Sequence, residues 1–386
     1  MDLLLRQITE RIRAASADHA PLRIRGAGSK DFYAESLQGE VLALGGLRGI
    51  ISYEPSELVV TVRCGTPLLE LEAVLAEKGQ HLAFEPPRFG ASAGTPGSAT
   101  CGGMVAAGLS GPARANAGAV RDYVLGVTLL NGRGELLTFG GQVIKNVAGY
   151  DVSRLMVGAL GTLGVLTEIS LKVLPAAVAQ ATLMCVGVKQ TVALELLHRW
   201  GGQPLPLNAS CWVFDNSTSP ARDCLFVRLR GAVAALEAAC PRMIADVQAQ
   251  GGQASRMDPA QAESDWNACR DQTLPFFCAT SPELGLWRLS LPQTTPALDL
   301  PYAQLIEWHG GLRWLWAPLS AQARLRQVAA ESGGSALLFR APQSASVAAT
   351  GRFGPLTQAL ARIHQRLKAE FDPAGILNPG RMYPNL

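Results

Sequence analysis

The chain has 386 residues, 48% hydrophobic and 17% charged, which is enough for a substantial core and two or three domains. A formal net charge of +3 without a run of Lys or Arg argues against a nucleic-acid partner. The beginning of the chain has no signal-peptide pattern, and the most apolar stretch, 173–188, is shorter than the ~20 residues of a spanning helix, so we expect a cytoplasmic protein with at most peripheral membrane association.

The first part of the chain predicts an α/β pattern. An opening helix gives way at Pro21 to four short β-branched or apolar segments, LRIRG, VLALGG, GIISY and LVVTVRCG. Thr66 is the predicted N-cap of the next helix, with Pro67 at the first helical position and Gly79 at its end. Strands and helices therefore alternate up to about residue 80.

A hairpin and a strand complete this part. The turn NGRG, 131–134, separates two apolar runs and predicts a β-hairpin over 123–140, and VLTEISLKVL, 165–174, predicts another strand. Beyond it, the strand candidates SCWVFDN, LFVRLRG and LWRLSLP and a helix over 233–250 indicate an α+β region, and 355–371 predicts a last helix.

Composition shifts near Pro175, because 25 of the 40 glycines precede it and all seven tryptophans follow it. Glycine permits sharp turns and close backbone approach, whereas tryptophan supplies bulky packing. We predict a glycine-rich cofactor domain over 1–175, an α+β second domain over 176–345, and a C-terminal helix and tail over 346–386. The eight cysteines form no C-x-x-C pair and the five histidines no cluster, so no metal site is predicted.

Three glycine-rich turns in the first domain are candidates for holding a phosphate: RGAGSK at 25–30, GTPGSATCGGM at 94–104 and GALGTLG at 158–164. Small residues let successive backbone N–H groups point into one concavity. Each turn alone is a weak signal, and RGAGSK lacks the residue order and spacing of a P-loop. Three such turns together favour a long ligand with a central diphosphate, such as FAD.

The ordered motifs resemble the FAD-binding (PCMH-type) domain of the vanillyl-alcohol-oxidase superfamily. They comprise RGAGSK, the 58–87 segment, ATCGGMVAAGLSGP, GAVRDYVLGVTLLNGRGELL and KNVAGYDVSRLMVGALGTLGVLTEISLKVLP, and FDPAGILNPGRMY resembles its returning tail. Within it, KNVAGYD, EWHGGLRWLW and NPGRMY resemble the family of FAD-binding E subunits of bacterial glycolate oxidase. The resemblance implies an α+β fold: a two-lobed FAD-binding domain, an α+β cap-like second domain and a C-terminal tail returning to the first.

The resemblance also implies site residues. The first loop and the turn at 100–103 would close on the diphosphate, the third loop would lie along the ribityl and adenosine portions, and a further turn would lie near the ring system, where Arg121 and Asp122 are equally well explained as a local ion pair. No His occupies the first loop, so the FAD is predicted to be non-covalent, with Cys101 the nearby nucleophile. The predicted FAD-binding residues are Arg25, Gly26, Ala27, Gly28, Ser29, Lys30, Gly94, Thr95, Thr100, Cys101, Gly102, Gly103, Gly118, Arg121, Asp122, Gly158, Gly161, Thr162, Gly164, Val165 and Leu166.

The implied reaction is hydride removal from a small 2-hydroxy acid, glycolate being oxidised to glyoxylate, which needs a cation and a base. Arg288, His309 and Arg313 are the candidates, although arginines near tryptophans often stack and a lone His is more often packed. The chain lacks the His-Gly-Asp-Gly-Asn segment of related D-lactate-type enzymes. The resemblance therefore implies a hetero-oligomer with a catalytic flavoprotein and an iron–sulfur subunit. The alternatives are a self-sufficient 2-hydroxy-acid dehydrogenase and a non-catalytic FAD-carrying structural subunit.

Overall fold

A computed structural model describes residues 3–35, 37–90, 99–141, 151–216, 219–343, 351–384 and 386. These fall into two compact units. The first contains the described residues of 1–110, 119–176 and 348–386, and the second those of 111–118 and 177–347. The predicted FAD-binding residues Gly94 and Thr95, and most of KNVAGYD, lie outside the described residues.

The first unit is built on a five-stranded antiparallel sheet in the order β3-β4-β8-β6-β7 and on a parallel pair, β1-β2. A third, two-stranded sheet joins β5 to β9. Its elements are α1 (Leu3–Ala17), β1 (Leu22–Arg25), β2 (Glu40–Ala43), β3 (Ile50–Glu54), β4 (Val59–Arg63), α2 (Leu68–Glu77), β5 (Gln80–His81), α3 (Cys101–Ala107), β6 (Val124–Leu130), β7 (Leu136–Gly140), α5 (Val152–Leu155), β8 (Val165–Lys172), β9 (Leu174–Pro175) and α10 (Gln358–Phe371); the short α4 (Arg114–Ala117) belongs to the second unit.

Burial explains the order of the five-stranded sheet. β4 and β8 are apolar and buried along most of their length, which suits inner strands, whereas β7 at one edge alternates between exposed and half-buried residues. The predicted hairpin is confirmed, since β6 and β7 pair antiparallel from Leu130 with Leu136 to Gly126 with Gly140.

The prediction that Thr66 caps α2 is wrong. The N-cap is Pro67, and the Thr66 hydroxyl instead accepts a hydrogen bond from the Gly49 N–H at 3.0 Å. The Thr66 hydroxyl therefore bonds to the turn that precedes β3 and does not cap the helix. The end of the helix is as predicted, because Lys78 is the C-cap and Gly79 follows it with a left-handed φ of 63°.

The second unit contains an eight-stranded antiparallel sheet in the order β13-β10-β12-β11-β15-β16-β14-β17. Two buried apolar clusters lie against it. In one, Trp200 of α6 and Met243 of α7 pack with Val227; in the other, Leu325 of α9 packs with Trp287. The elements are β10 (Ala179–Val186), α6 (Gln190–Gly201), β11 (Leu207–Asp215), β12 (Arg222–Gly231), α7 (Val233–Ala249), β13 (Gln253–Arg256), α8 (Pro259–Asp271), β14 (Leu284–Ser290), β15 (Gln304–Glu307), β16 (Leu312–Pro318), α9 (Gln322–Glu331) and β17 (Ser335–Arg340).

Candidate functional site

The first glycine loop follows β1 and presents a row of backbone donors. Among the described residues, none accepts a hydrogen bond from the N–H groups of Gly26, Ala27, Gly28 or Ser29. Gly28 has a φ of 80°, a conformation that glycine adopts at low cost, and its carbonyl accepts from the Asp31 N–H at 3.0 Å. Half-buried N–H groups in such a turn form a concavity suited to an anion.

The second turn contributes shape rather than donors. The N–H groups of Cys101, Gly102 and Gly103 bond to the Thr66 carbonyl, the Cys64 carbonyl and the Thr100 hydroxyl at 2.9, 2.7 and 3.2 Å. A Cβ on Gly102 would lie 2.7 Å from that of Cys64, so the glycine allows α3 to approach the end of β4. The Cys101 thiol is fully buried and its pKa is raised by burial, which makes it an inert rather than a nucleophilic thiol.

The residues of the third loop line two different cavities. Gly161, Gly164 and Leu166 face the same cavity as the first two loops, whereas Gly158 and Thr162 line a separate one beside α10. The N–H groups of Gly158 and Leu160 bond to the carbonyls of Val105 and Ala106 at 3.0 and 2.9 Å, which fixes the loop to the end of α3. Val165 is fully buried in β8 and lines neither cavity.

The three loops meet at one cleft. A cavity of about 80 Å³ is lined by Gly26, Thr100, Gly102, Gly103 and Gly161, together with residues that the sequence analysis missed, including Cys64, Met156 and Asn378. An adjoining cavity of about 90 Å³ is lined by the whole first loop, Arg25 to Lys30, and by Arg381. Since these cavities share Gly26, Thr100, Gly103 and Asn378, we call them together the loop cleft.

Cationic side chains line the loop cleft beside its backbone donors. Arg25 pairs with Asp31 at 3.1 Å, and the Lys30 ammonium lies 5.7 Å from the centre of the Phe89 ring. The buried guanidinium of Arg381 donates to the carbonyls of Lys30, Asp31, Tyr33 and Glu35. Burial lowers the Arg381 pKa to about 10, so the group remains protonated near pH 7 and adds positive charge to the cleft.

The predicted turn at Gly118, Arg121 and Asp122 has a local role in the described residues. The Asp122 carboxylate accepts from the Ala119 N–H at 2.8 Å and so caps a 3-10 helix over Val120–Asp122. No ion pair between Arg121 and Asp122 is present, so that alternative is wrong. Gly118 ends α4 with a φ of 93°. None of the three lines the loop cleft, and their contact with FAD stays a prediction.

His309 in the second unit belongs to a run of three left-handed residues, with φ values of 53° at Trp308, 55° at His309 and 102° at Gly310. Non-glycine residues adopt this conformation at a cost of roughly 1–2 kcal/mol each, so surrounding contacts must hold it. The His309 N–H and Nδ1 both lie 3.0 Å from the hydroxyl of buried Ser210. Burial lowers the His309 pKa to about 4, and the ring is neutral near pH 7.

The two candidate arginines differ in their surroundings. Arg313 is fully buried and donates to the carbonyls of Thr295 at 2.6 Å and Pro296 at 2.8 Å. This environment contradicts a substrate-binding role for Arg313, because backbone carbonyls already hold its guanidinium. Arg288 is half-buried, and its guanidinium lies 5.2 Å from the centre of the Trp308 ring, which also has Arg114 over it at 4.5 Å. Arg288 is therefore placed for a cation–π contact with Trp308, and its substrate-binding role stays a prediction.

The described residues contain no group of three or more His, Cys, Asp or Glu residues arranged to hold a metal ion. No helix among them is long and apolar enough to cross a membrane.

Comparisons with known proteins agree with this geometry. Residues 5–140 match a family described as an FAD binding domain. The chain is 42% identical over 379 residues to glycolate oxidase subunit GlcE of Escherichia coli (strain K12), covering 98% of this chain and 97% of the relative. It is 29% identical to glycolate oxidase subunit GlcD of Bacillus subtilis (strain 168) over 47% of this chain and 37% of that protein.

Solved structures agree on the fold. A 4-ethylphenol oxidase from Gulosibacter chungangensis superposes with a TM-score of 0.72 at 15% identity, covering 99% of this chain and 88% of that one. An alkyldihydroxyacetonephosphate synthase superposes with a TM-score of 0.67 at 13% identity, covering 97% and 75%. The predicted fold class, a vanillyl-alcohol-oxidase-type flavoprotein fold with an α+β second domain, is confirmed.

Proposed function

This chain belongs to the family of glycolate oxidase subunit GlcE, and we propose on that basis that it is the FAD-binding subunit of a complex that oxidises glycolate to glyoxylate. The observation that carries the proposal is the loop cleft. Three glycine loops far apart in sequence line it, and four successive N–H groups of one loop, Gly26 to Ser29, have no acceptor among the described residues.

The residues present fit FAD. The first loop would hold the diphosphate through its N–H groups, with Lys30 and Arg381 adding positive charge, and the third loop would contact the rest of the cofactor through Gly161, Gly164 and Leu166. Bound FAD supplies a two-electron acceptor for the hydride leaving the α-carbon of a 2-hydroxy acid. We infer that the link is non-covalent, because the first loop contains no His and Cys101 is buried with a raised pKa.

The substrate side of the reaction is less well supplied in this chain. Neutral His309 can accept a proton, but a group with a pKa of about 4 is a weak base near pH 7. Arg313 is committed to backbone carbonyls, which leaves Arg288 as the cation proposed for a substrate carboxylate. This supports a division of labour in which a second, catalytic flavoprotein subunit binds and oxidises glycolate.

The state of the cysteines supports the proposal that the electron acceptor lies outside this chain. All eight cysteines are free, and only Cys278 is exposed. Since buried, dispersed thiols cannot hold a cluster, we propose that electrons pass to an iron–sulfur subunit of the same complex, and that any membrane association is peripheral and occurs through the complex.

The test is anaerobic stopped-flow reduction of the flavin by glycolate and by D-lactate, with the FAD-loaded chain alone and with its co-expressed partners. We expect glycolate to reduce the flavin of the complex. The flavin of the lone chain should stay oxidised over the time in which the complex completes many turnovers. Equally fast reduction of the lone chain would replace the subunit proposal by a self-sufficient dehydrogenase.

A further inference from the structure

Asn378, in the C-terminal tail, joins two of the three cofactor loops through its side chain. Its Oδ1 accepts from the N–H of Ile24, the residue directly before the first loop, at 2.8 Å, and its Nδ2 donates to the Leu160 carbonyl at 2.7 Å, inside the third loop. Its backbone N–H donates to the Leu22 carbonyl at 2.9 Å. One amide therefore sets the separation between the end of β1 and the third loop.

The position favours asparagine for two independent reasons. Asn378 has a φ of 43°, a left-handed conformation that among non-glycine residues asparagine adopts most readily. Its side chain must also accept a hydrogen bond on one atom and donate one on the other, which an amide does and a carboxylate does not. Asn378 is 8% exposed and lines both cavities of the loop cleft.

The rest of the tail is fixed around this residue. The buried Asp372 carboxylate accepts from the N–H groups of Ile376 at 3.2 Å and Leu377 at 2.7 Å, and it pairs with Lys368 at 2.7 Å. Lys368 also donates to the Thr162 carbonyl in the third loop at 2.9 Å. The residues that precede Asn378 are thus fixed, and the two hydrogen bonds of its amide connect this part of the tail to the loops.

We propose that Asn378 is a positioning residue for FAD, which fixes the first and third loops at the spacing the cofactor needs. Asn378 lies outside residues 5–140, the part of the chain that matches the FAD binding domain family. The proposal rests on FAD binding, not on the substrate or the partners. Its consequence is measurable without turnover, because loss of the amide should weaken FAD binding even in a chain that remains folded.

The decisive variants are Asn378→Gly and Asn378→Asp. Glycine keeps the left-handed backbone and removes both side-chain hydrogen bonds, whereas aspartate keeps the acceptor and places an oxygen against the Leu160 carbonyl. Without these hydrogen bonds, FAD must bring the two loops to their spacing when it binds. A cost of about 1.4 kcal/mol, close to that of one hydrogen bond, predicts a roughly tenfold higher Kd for FAD in Asn378→Gly. Asn378→Asp should weaken binding more, because it also adds negative charge to a cleft for a diphosphate.

Asn131 provides a matched control in the same unit. Its buried Oδ1 accepts from the N–H groups of Arg133 at 2.9 Å and Glu135 at 3.0 Å, its Nδ2 donates to the Glu135 carboxylate at 2.6 Å, and it does not line the loop cleft. Asn131→Asp therefore places an oxygen against the Glu135 carboxylate, just as Asn378→Asp places one against the Leu160 carbonyl. We expect it to lower the unfolding temperature of the FAD-free chain while leaving the Kd for FAD unchanged.

The measurements are the Kd from quenching of flavin fluorescence, the visible circular dichroism of the bound flavin, and the unfolding temperature of the FAD-free chain. A raised Kd and altered dichroism in both Asn378 variants, with unchanged values in Asn131→Asp, would support the proposal. Kd values within twofold of the unsubstituted chain in Asn378→Gly would overturn it, leaving a purely structural role. Should Asn378→Asp not fold, Asn378→Gly decides the question; absence of FAD binding by the unsubstituted chain would instead refute the cofactor assignment.

Discussion

Gly161 in the third loop and Gly251 between α7 and β13 permit a controlled test of the loop cleft. Both have left-handed φ values, 74° and 79°, so alanine is strained to a similar degree at either position. A Cβ on Gly251 has no neighbouring atom within 4 Å, whereas one on Gly161 would lie 2.8 Å from Asn378 Nδ2 and 3.2 Å from Ile24 Cδ1. The two alanine variants therefore differ in contact, not in backbone strain.

The expected magnitudes follow from these contacts. Left-handed alanine costs roughly 1 kcal/mol in the free energy of unfolding, which is all that Gly251→Ala should lose. Gly161→Ala should lose about 2–3 kcal/mol, because displacement of the Asn378 amide adds roughly 1 kcal/mol for each hydrogen bond weakened. Displacement of a residue that lines the cleft should also raise the Kd for FAD about tenfold, equivalent to about 1.4 kcal/mol.

Urea unfolding of the FAD-free proteins gives the first quantity, and FAD titration followed by flavin fluorescence gives the second. Circular dichroism checks that both variants are folded. Equal Kd values for Gly161→Ala and Gly251→Ala would remove the third loop from the cofactor site.

Four further outcomes are expected. Acid precipitation should release all of the flavin as FAD, and flavin retained in the pellet would contradict a non-covalent link. Because the folded-state pKa of His309 is lowered from 6.5 to about 4, unfolded chains bind a proton that the native state does not, so stability should fall by on the order of 2–3 kcal/mol as the pH drops from about 6.5 to 4, and His309→Asn should flatten that slope. Arg313→Met should lower stability by roughly 3 kcal/mol and leave the Kd for FAD unchanged, since its carbonyl partners lose their donors; unaltered stability with lost turnover would restore a catalytic role. Lys368→Met should cost about 3–5 kcal/mol in denaturant unfolding because it leaves the buried Asp372 carboxylate unpaired, and Asp372→Asn combined with it should recover part of that loss.

Local patterns in the sequence predicted the strands and helices well because the signals are themselves local. NGRG contains the turn residues that close β6 on β7, and apolar runs marked β4 and β8 as buried strands. The prediction of the α2 N-cap was wrong for a non-local reason. The Thr66 hydroxyl accepts a hydrogen bond from the N–H of Gly49, 17 residues earlier in the chain. Propensity at one position cannot reveal such a competing partner.

The same distinction holds at the candidate site. Glycine spacing identified the three loops, but the N–H groups of Cys101 and Gly102 donate to carbonyls near the end of β4, and only the fold brings these groups together. Arg313 was assigned by its proximity to His309 in sequence, whereas burial decides its role. Asn378 was missed as a site residue, although NPGRMY was noted; an asparagine before Pro-Gly in a returning tail was the available signal.

We propose that this chain carries FAD in the loop cleft but needs partners to oxidise glycolate. The most direct measurement is the rate of glyoxylate formation per FAD, with an artificial dye as electron acceptor, for the isolated FAD-loaded chain and for the co-expressed complex. We expect rapid glyoxylate formation by the complex and essentially none by the isolated chain. Equal rates would contradict it and identify the chain as a self-sufficient enzyme.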